Sequence, residues 1–485
     1  MQKYSTLPGG EAYPLCVDLD GTIVETDTFV EYLLIGIRKL SLLYRILWWA
    51  IEGKAKLKQE LACNIKINPA MLPYNASLLQ YLYSQRSIGR RLYLVTAANM
   101  QIAEEVNKHL GIFEEVIASN ASRNLRGEEK GKALVARFGN RKFSYAGNDR
   151  TDLHVWKYAH SGVLVNTSNV TARRALDLTT IERRFDKNRL QQMGALLRSL
   201  RPHQWVKNLL VFVPIVTAKA YVDLGAILNA MILFVAFCST SSGVYVLNDL
   251  FDIEADRRHP IKRERPFASG RLSIITGFAM LPFLFGGGFV FAYLTHVPAV
   301  LVLLLLYSLI TIAYSIKLKE LPLVDVFTLS GLYTIRMFSG GEVTNHHVSL
   351  WLLAYSGFIF LALAIIKRTA ELKTKINGQN DQLERRGYAS EDIYVIQSFG
   401  IASTFVSSVV MALYIQSQAA ADIYYRPQIL WFLVPAMLFW QCRLWLSTAR
   451  GYMDYDPIVY SAKDWVSWVV ALFVAAVLIA ASVKF

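Results

Sequence analysis

The chain has 485 residues, 54% hydrophobic, 12% aromatic and 18% charged, with a mean hydropathy of +0.31, which is too apolar for an ordinary soluble enzyme of this size. Its 51 Lys and Arg against 37 Asp and Glu leave a net charge of +14, which must gather where water or phosphate is, because a lipid-facing surface does not tolerate it. Disordered, collagen-like and small disulfide-scaffold classes are excluded, and the length predicts two or three domains.

Cys16, Cys63, Cys238 and Cys442 form no CxxC pair, so neither a disulfide framework nor a zinc site is expected. The first 14 residues lack a basic start followed by an apolar core, which predicts no cleaved signal and a cytosolic start. Up to about residue 200, strand-length apolar runs each end on polar residues: LCVDLDGT, RLYLVTAAN, FEEVIAS and KFSYAGNDRTD. Parallel strands carrying functional groups at their carboxyl ends have this pattern, so residues 1–165 are expected to form a cytosolic α/β, Rossmann-like domain. Residues 29–51, FVEYLLIGIRKLSLLYRILWWAI, are interrupted too often by Glu31, Arg38, Lys39 and Arg45 to cross a membrane. They are expected to form either a small helical cap over the α/β site or a helix lying on the bilayer, and a cap that also touches the membrane is the favoured reading.

VDLDGT sets Asp18 and Asp20 two apart at a strand end, where two carboxylates repel unless a hard divalent cation sits between them. Downstream, in order, come Thr96 in LVTAAN, Lys130 in GEEKGKAL with Lys132 as its alternative, and Asn148, Asp149 and Asp152 in AGNDRTDL. This series resembles the four motifs of the haloacid dehalogenase-like phosphohydrolases over nearly all of residues 14–165. The resemblance implies Asp18 as nucleophile, Asp20 as general acid and base, and Thr96 and Lys130 on the phosphoryl oxygens. It implies Mg²⁺ held by Asp18, Asp20 and the last motif, Asn148, Asp149 and Asp152, although the family commonly has Asp where Asn148 stands.

Residues 166–202 are expected to be a basic juxtamembrane linker, with 171–201 as one polar helix, either solvated or lying on anionic headgroups. From residue 203 to 485, apolar stretches near 20 residues recur, each able to cross a hydrocarbon core of about 30 Å. Nine spans are predicted, near 206–219, 223–248, 273–294, 298–316, 324–341, 349–367, 396–417, 428–447 and 465–483. Loops 249–271, 317–320 and 367–393 are rich in Lys and Arg, whereas the alternate loops hold Arg426 alone. Positive-inside therefore places the basic loops and the N-terminal domain on the cytosolic side of the inner (cytoplasmic) membrane.

The second span runs into YVLNDLFDIEADRRHPIKRERPFASG. If its helix continues, Asn248, Asp249, Asp252 and Asp256 share one face, a set that is costly unless Asp249, Asp252 and Asp256 bind Mg²⁺ completed by substrate phosphates. Arg257, Arg258, His259, Lys262, Arg263 and Arg265 supply cations for the remaining oxygens. Asp325 and Arg336 fall inside the fifth span and are expected to face a cavity, Asp325 close enough to the cytosolic end to be interfacial.

With RPHQWVKN at 201–208, which contains Lys207 and Asn208, and YSIKLKELPLVDV at 314–326, which contains Lys319, the Asp-rich motif resembles the UbiA superfamily of intramembrane prenyltransferases. The resemblance implies an all-α transmembrane bundle over the C-terminal half that binds a Mg-diphosphate substrate at the first Asp-rich loop and typically at a second DxxxD. Here the second position reads AIIKRTAELKTKINGQNDQLERRGY, with Lys367, Arg368, Glu371, Arg385 and Arg386 and no acidic pair at that spacing. Cations in place of carboxylates build a site for phosphates bound without metal. The pattern looks like the decaprenyl-phosphate phosphoribosyltransferase branch, which also shows HPxKxxRP and KRxxEL.

That resemblance implies phosphoribosyl pyrophosphate as donor and a polyprenyl phosphate as acceptor, with Asp249 and Asp252 catalytic through Mg²⁺. Lys262, Arg265, Lys319, Lys367 and Arg368 would hold the ribose 5-phosphate and the lipid phosphate. The expected activity is bifunctional: phosphoribosyl transfer, then removal of the 5-phosphate to leave polyprenyl-phosphoryl ribose, a precursor for cell-wall glycans. Alternatives are a conventional prenyltransferase joining a prenyl diphosphate to an aromatic acceptor, and a transporter or scaffold with a degenerate hydrolase domain. A basic protein could also bind nucleic acid, but membrane-surface phosphate accounts for this charge distribution and no nucleic-acid partner is expected.

Overall fold

The computed structural model describes residues 13–119, 124–220, 222–346, 348–376, 387–453 and 456–483; Arg385 and Arg386 lie outside them. The chain divides into two compact units, one formed by 1–199 with 249–279, the other by 200–248 with 280–485.

The first unit is built on a parallel sheet of six strands: β1 (Leu15–Val17), β2 (Leu92–Asn99), β3 (Glu115–Ser119), β4 (Ser144–Gly147), β5 (Ser161–Val165) and β6 (Thr180–Phe185), in the order β3-β2-β1-β4-β5-β6. β1, β4 and β5 are buried along their whole length, as expected of a sheet covered on both faces; β1 reads as an unbroken apolar run, whereas β4 and β5 open on the buried serines Ser144 and Ser161. Strand order reverses beside β1, with β2 on one side and β4 on the other, so a crevice opens at the carboxyl ends of β1 and β4.

Three helices, α1 (Thr28–Arg38), α2 (Leu40–Glu52) and α3 (Lys54–Asn64), are inserted between β1 and β2 ahead of α4 (Ala76–Ser87). They occupy the stretch where a cap is expected. Asp27 starts α1 by accepting from the Phe29 and Val30 N–H groups, which would otherwise be orphaned. Helices α5 (Met100–Leu110), α6 (Glu128–Phe138), α7 (Leu153–Trp156) and α8 (Asn169–Leu178) provide the other connections.

The stretch 171–201 is not one polar helix. It forms the end of α8, strand β6 and then α9 (Arg189–Leu200), so the sheet extends past residue 165. Helical spacing misled here because β6 is an edge strand, TIERRF, with little apolar content, and its pairing is long-range. Glu182 anchors it: the carboxylate accepts from Arg90 Nη1 at 2.8 Å and Nη2 at 2.9 Å, from Ser144 Oγ at 3.0 Å and from the Ser161 hydroxyl.

The second unit is helical. The helices from residue 213 onward are α10 (Val213–Thr217), α11 (Leu224–Phe251), α12 (Ile253–Arg258), α13 (Ile274–Leu294), α14 (Pro298–Ile316), α15 (Val324–Thr344), α16 (Leu350–Ile376), α17 (Asp392–Ile415), α18 (Gln418–Ile423), α19 (Leu433–Ala449), α20 (Pro457–Lys463) and α21 (Trp465–Ser482), of which α12, the end of α11 and the start of α13 fall in the first unit. Among the described residues seven stretches are long and apolar enough to cross a membrane, not nine. The expected first span, 206–219, is a 3₁₀ segment, Pro202–Phe212, followed by the short α10 with Pro214 near its start. The expected fifth coincides with the 21-residue α15, which carries Asp325, Arg336 and Glu342 and is more polar than the seven. α15 is instead an interior helix: a Cβ on Gly340 would lie 2.1 Å from the Val211 carbonyl oxygen, so only glycine allows the 3₁₀ segment to pass this close.

Candidate functional site

In the first unit, Asp18 follows β1 directly and Asp20 lies two residues on. Thr96 is in β2, Lys130 is in the first turn of α6, and Asn148 follows β4. The topology therefore brings the expected residues to the switch point. Lys130 Nζ donates to Asp18 Oδ1 at 2.9 Å and to Tyr145 Oη at 2.8 Å, and Tyr145 Oη donates to Asp152 Oδ1 at 2.9 Å. The first N–H of α1, on Thr28, donates to Asp20 Oδ1 at 2.8 Å. Fully buried Thr96 accepts from the Ala98 N–H at 3.0 Å. Tyr145 is a member of this network that sequence reasoning missed; its only signal was its place in the strand ending in AGNDRTD.

Burial pushes the Asp18 carboxyl up to about 6, with Lys130 pulling it down and Asp152 raising it. Burial pushes Asp20 up to about 7, aided by Asp27 and opposed by the Thr28 N–H. Lys130 thus offsets only part of the charge, and a further cation fits. Asn148 and Asp149 separate clearly. A Cβ on Gly21, whose φ is +71°, would lie 2.1 Å from the Asn148 side-chain amide, so Asn148 rests on the Asp18–Asp20 loop. Asp149 is exposed and caps its own turn, accepting from the Arg150 N–H at 2.6 Å. The expected metal role of Asp152 meets competition from its hydrogen bonds: besides Tyr145, it accepts from the Asn148 and Asp149 N–H groups at 2.9 and 3.0 Å, holding the loop in place. Among the described residues no three His, Cys, Asp or Glu side chains are grouped to hold a metal by themselves. A divalent ion here would draw on the Asp18 carboxylate together with backbone and amide oxygens, a donor set that suits Mg²⁺.

The Asp-rich segment, residues 249–279, belongs to the same unit. Its helix does not continue through the motif: α11 ends at Phe251 and α12 begins at Ile253, with Asp252 at the break and Asn248, half-buried, in the last turn of α11. Asp249 and Asp256 are buried and do not close on Asp252 as a three-carboxylate set. Arg265 lies between them, its Nη1 donating to Asp249 Oδ1 at 3.1 Å and Asp256 Oδ2 at 2.7 Å. Two buried carboxylates are costly without a cation, and the guanidinium supplies it. Burial still pushes Asp256 up to about 6 against the pull of Arg265.

The expected row of phosphate-binding cations is only partly available in this arrangement. Arg257 forms a buried ion pair with Glu31 of α1, and its Nε donates to the Ala268 carbonyl at 3.0 Å. Exposed Arg258 pairs with Glu254 one turn before it. His259 is buried and its Nδ1 accepts from the Ile261 and Lys262 N–H groups at 3.1 and 3.2 Å, shaping the loop that carries Lys262.

In the second unit a polar cluster is buried among the helices. Arg336 Nε donates to Asn208 Oδ1 at 2.8 Å, its Nη2 to Tyr307 Oη at 2.7 Å and its Nη1 to the Leu332 carbonyl at 2.8 Å. Buried Lys207 pairs with Asp456, and Lys367 Nζ lies 3.9 Å from the same carboxylate. The structure therefore gathers Lys207 and Lys367, and joins Asn208 to Arg336, with Tyr307 and Asp456 as partners that sequence reasoning missed. Asp456 had a signal, because Asp-Pro before an apolar run is a helix start; it accepts from Ile458 and Val459 at the head of α20.

Arg368 and Glu371 depart from their expected role. Arg368 is fully buried and paired with both Asp325 and Glu371, and its Nη2 lies 3.4 Å from Tyr314 Oη. Asp325 is fully buried, accepting from Tyr388 Oη at 2.6 Å. A buried guanidinium with two carboxylates ties helices together rather than waiting for phosphate. Lys319 lies in the short turn Leu318–Glu320 between α14 and α15.

The UbiA prenyltransferase family model matches residues 210–454, half of the chain. This chain belongs to the UbiA prenyltransferase family. It is thus a membrane-embedded transferase of the UbiA type carrying an N-terminal α/β unit. The protein y4nM of Sinorhizobium fredii is 33% identical over 471 residues, 96% of this chain and 91% of that one, so the fusion of both parts is shared along nearly the whole length. The nodulation protein NoeC of Azorhizobium caulinodans is 34% identical over 57% of this chain and 89% of its own. Within UbiA relatives, the decaprenyl-phosphate phosphoribosyltransferase of Corynebacterium glutamicum is 34% identical over 180 residues, 36% of this chain and 54% of its own.

Proposed function

We propose that the UbiA part transfers a 5-phosphoribosyl group from phosphoribosyl pyrophosphate to a polyprenyl phosphate, and that the α/β unit, a haloacid dehalogenase-like phosphohydrolase, then removes the 5-phosphate. The observation carrying this reading is the lack of a second acidic pair: where a prenyl diphosphate site would place one, the chain has Lys367-Arg368 and Glu371. The likeness to decaprenyl-phosphate phosphoribosyltransferases supports it.

In the first step an oxygen of the lipid phosphate attacks C1 of the ribose, the C1–oxygen bond to pyrophosphate breaks, and pyrophosphate leaves with the electron pair. Asp249, Asp252 and Asp256 would hold Mg²⁺, which supplies the charge that stabilises the leaving pyrophosphate. Arg265 would move from the carboxylates to phosphate oxygens. Within the second unit, Lys207, Lys367 and Arg336 would offer donors to anionic oxygens. In the second step the Asp18 carboxylate attacks phosphorus, Asp20 in its protonated form gives its proton to the departing 5-oxygen, and water activated by Asp20 cleaves the aspartyl-phosphate. Lys130 and Thr96 offset the phosphoryl charge. Mg²⁺ would be held there by Asp18, the Asp20 backbone and Asn148. Basic loops at 249–271 and 367–393 support placing both active sites on the cytosolic side of the inner membrane.

The test gives purified protein labelled phosphoribosyl pyrophosphate and polyprenyl phosphate. Asp18→Asn accumulates the 5-phosphorylated lipid, whereas the wild type yields the dephosphorylated one. Equal dephosphorylated product from both overturns the second step; transfer from geranyl diphosphate to an aromatic acceptor in place of ribosylation overturns the first.

A further inference from the structure

Helix α2 is apolar on two opposite faces. Leu42, Ile46 and Trp49 are buried against the rest of the first unit. Tyr44, Leu47, Trp48 and Ile51, at steps of three, one and three residues, stand on the other face and are 69%, 65%, 64% and 82% exposed. No part of the described chain covers them. An amphipathic helix at a protein surface keeps its outer face polar; four large apolar side chains on one outer face mark a surface made for an apolar phase.

The surroundings say which phase. Residues 38–58 contain six basic residues, Arg38, Lys39, Arg45, Lys54, Lys56 and Lys58, against the single acidic Glu52. The Arg45 guanidinium lies 4.9 Å from the centre of the Trp49 ring, and Trp48 Nε1 donates to Glu52 Oε1 at 2.6 Å, so the indole of Trp48 keeps a polar tip beside an apolar body. Basic flanks with Trp, Tyr and Leu on the outer face are the composition of helices lying at the headgroup boundary. A protein groove would need no such excess of one charge, whereas anionic headgroups attract it. Helix α9 repeats the pattern, with Leu190, Met193 and Leu197 exposed on one face between Arg189 and Arg198.

We propose that α2 is a membrane-inserted cap helix: its Tyr44–Leu47–Trp48–Ile51 face lies in the headgroup boundary of an anionic bilayer, so the α/β unit receives phosphate esters borne on lipid. The substrate half of this statement rests on the phosphohydrolase reading; the insertion half does not. Because α2 adjoins α1, whose first N–H holds Asp20, a bilayer-seated cap brings the lipid headgroup region toward the crevice at the strand ends.

The experiment uses the full chain in nanodiscs of phosphatidylcholine and phosphatidylglycerol. Fluorescence is quenched by lipids brominated near the headgroup end of the acyl chain, and separately by aqueous iodide; subtracting the Trp48→Phe signal isolates Trp48. Bromolipid quenching of the Trp48 component by at least twofold, with protection from iodide, is expected. Quenching by iodide alone overturns insertion, and so does quenching by neither agent, which would mean that a protein surface covers α2. For the substrate half, Leu47→Asp/Ile51→Asp is assayed on a lipid-borne phosphate ester and on p-nitrophenyl phosphate. A KM raised about tenfold for the lipid ester, with kcat/KM for the soluble ester unchanged, is expected. Equal loss on both esters overturns lipid delivery, while an inert wild type fails the phosphohydrolase reading and leaves the quenching result standing.

Discussion

Glu31 of the cap and Arg257 of the Asp-rich segment lie 226 residues apart in the chain and meet as a bidentate ion pair, with Arg257 Nη1 and Nη2 donating to the two carboxylate oxygens at 3.1 and 2.6 Å. Their side chains are 4% and 7% exposed. Nearby, Lys187 Nζ bridges the Glu25 carboxylate at 2.6 Å and the Gly270 carbonyl at 2.8 Å, and a Cβ on Gly270 would lie 2.6 Å from Glu25 Cβ. A segment the sequence assigns to the transferase is therefore fastened to the loop after β1 and to α1.

Removing either member of such a pair strands a buried charge and costs about 3–5 kcal/mol. Glu31→Ala and Arg257→Ala should each lower the thermal unfolding midpoint of the purified protein, and the reversed pair Glu31→Arg/Arg257→Glu should recover part of the loss. Singles that melt with the wild type would show that the pair contributes nothing.

Lys130 Nζ lies 2.9 Å from Asp18 Oδ1, a cation set directly against the expected nucleophile. Lys130→Met should reduce hydrolysis of the 5-phosphorylated lipid by about 10²-fold or more, since it removes a donor aimed at the phosphoryl charge. Ribosylation itself should continue. Lipid chromatography reads both, and full dephosphorylation by the variant would contradict the role.

Glu182 gives a pH dependence. Burial would raise its carboxyl, but Arg90, with Ser161 and Ser144, overrides burial and lowers it to about 2 from an ordinary 4.5. A depressed carboxylate stabilises the fold fully above its unfolded pKa, and the contribution is lost as pH falls from about 5 through about 2. The shift corresponds to about 3 kcal/mol at neutral pH. In acid unfolding followed by tryptophan fluorescence, Glu182→Gln should be less stable at pH 7 and show a shallower fall between pH 5 and 2. A parallel curve would mean that Glu182 is not coupled to folding.

Arg336 makes three hydrogen bonds from one planar group, to Asn208, Tyr307 and Leu332. Lysine cannot span them. Arg336→Lys should therefore lower kcat/KM for ribosyl transfer at least tenfold, with hydrolysis of p-nitrophenyl phosphate unchanged. Unchanged transfer would place Arg336 outside the site.

Most of the candidate chemistry was legible in the chain. The positions of Asp18 and Asn148 just past their strands and of Thr96 within β2, the polar character of the Asp-rich segment and the seven apolar helices follow from local patterns, because strand length, residue spacing and span hydropathy are properties of contiguous sequence. Long-range pairing was not. Edge strand β6 pairs with β5 and is tied to Arg90 through Glu182, and α15 passes close to Val211 at Gly340, contacts between residues far apart in the chain. Arg257, Arg265 and Arg368 all read as cations for phosphate, yet the fold commits Arg257 to Glu31, Arg265 to Asp249 and Asp256, and Arg368 to Asp325 and Glu371. A charge in a sequence has only a sign; burial makes an unpaired charge costly, so tertiary packing decides which partner each cation takes.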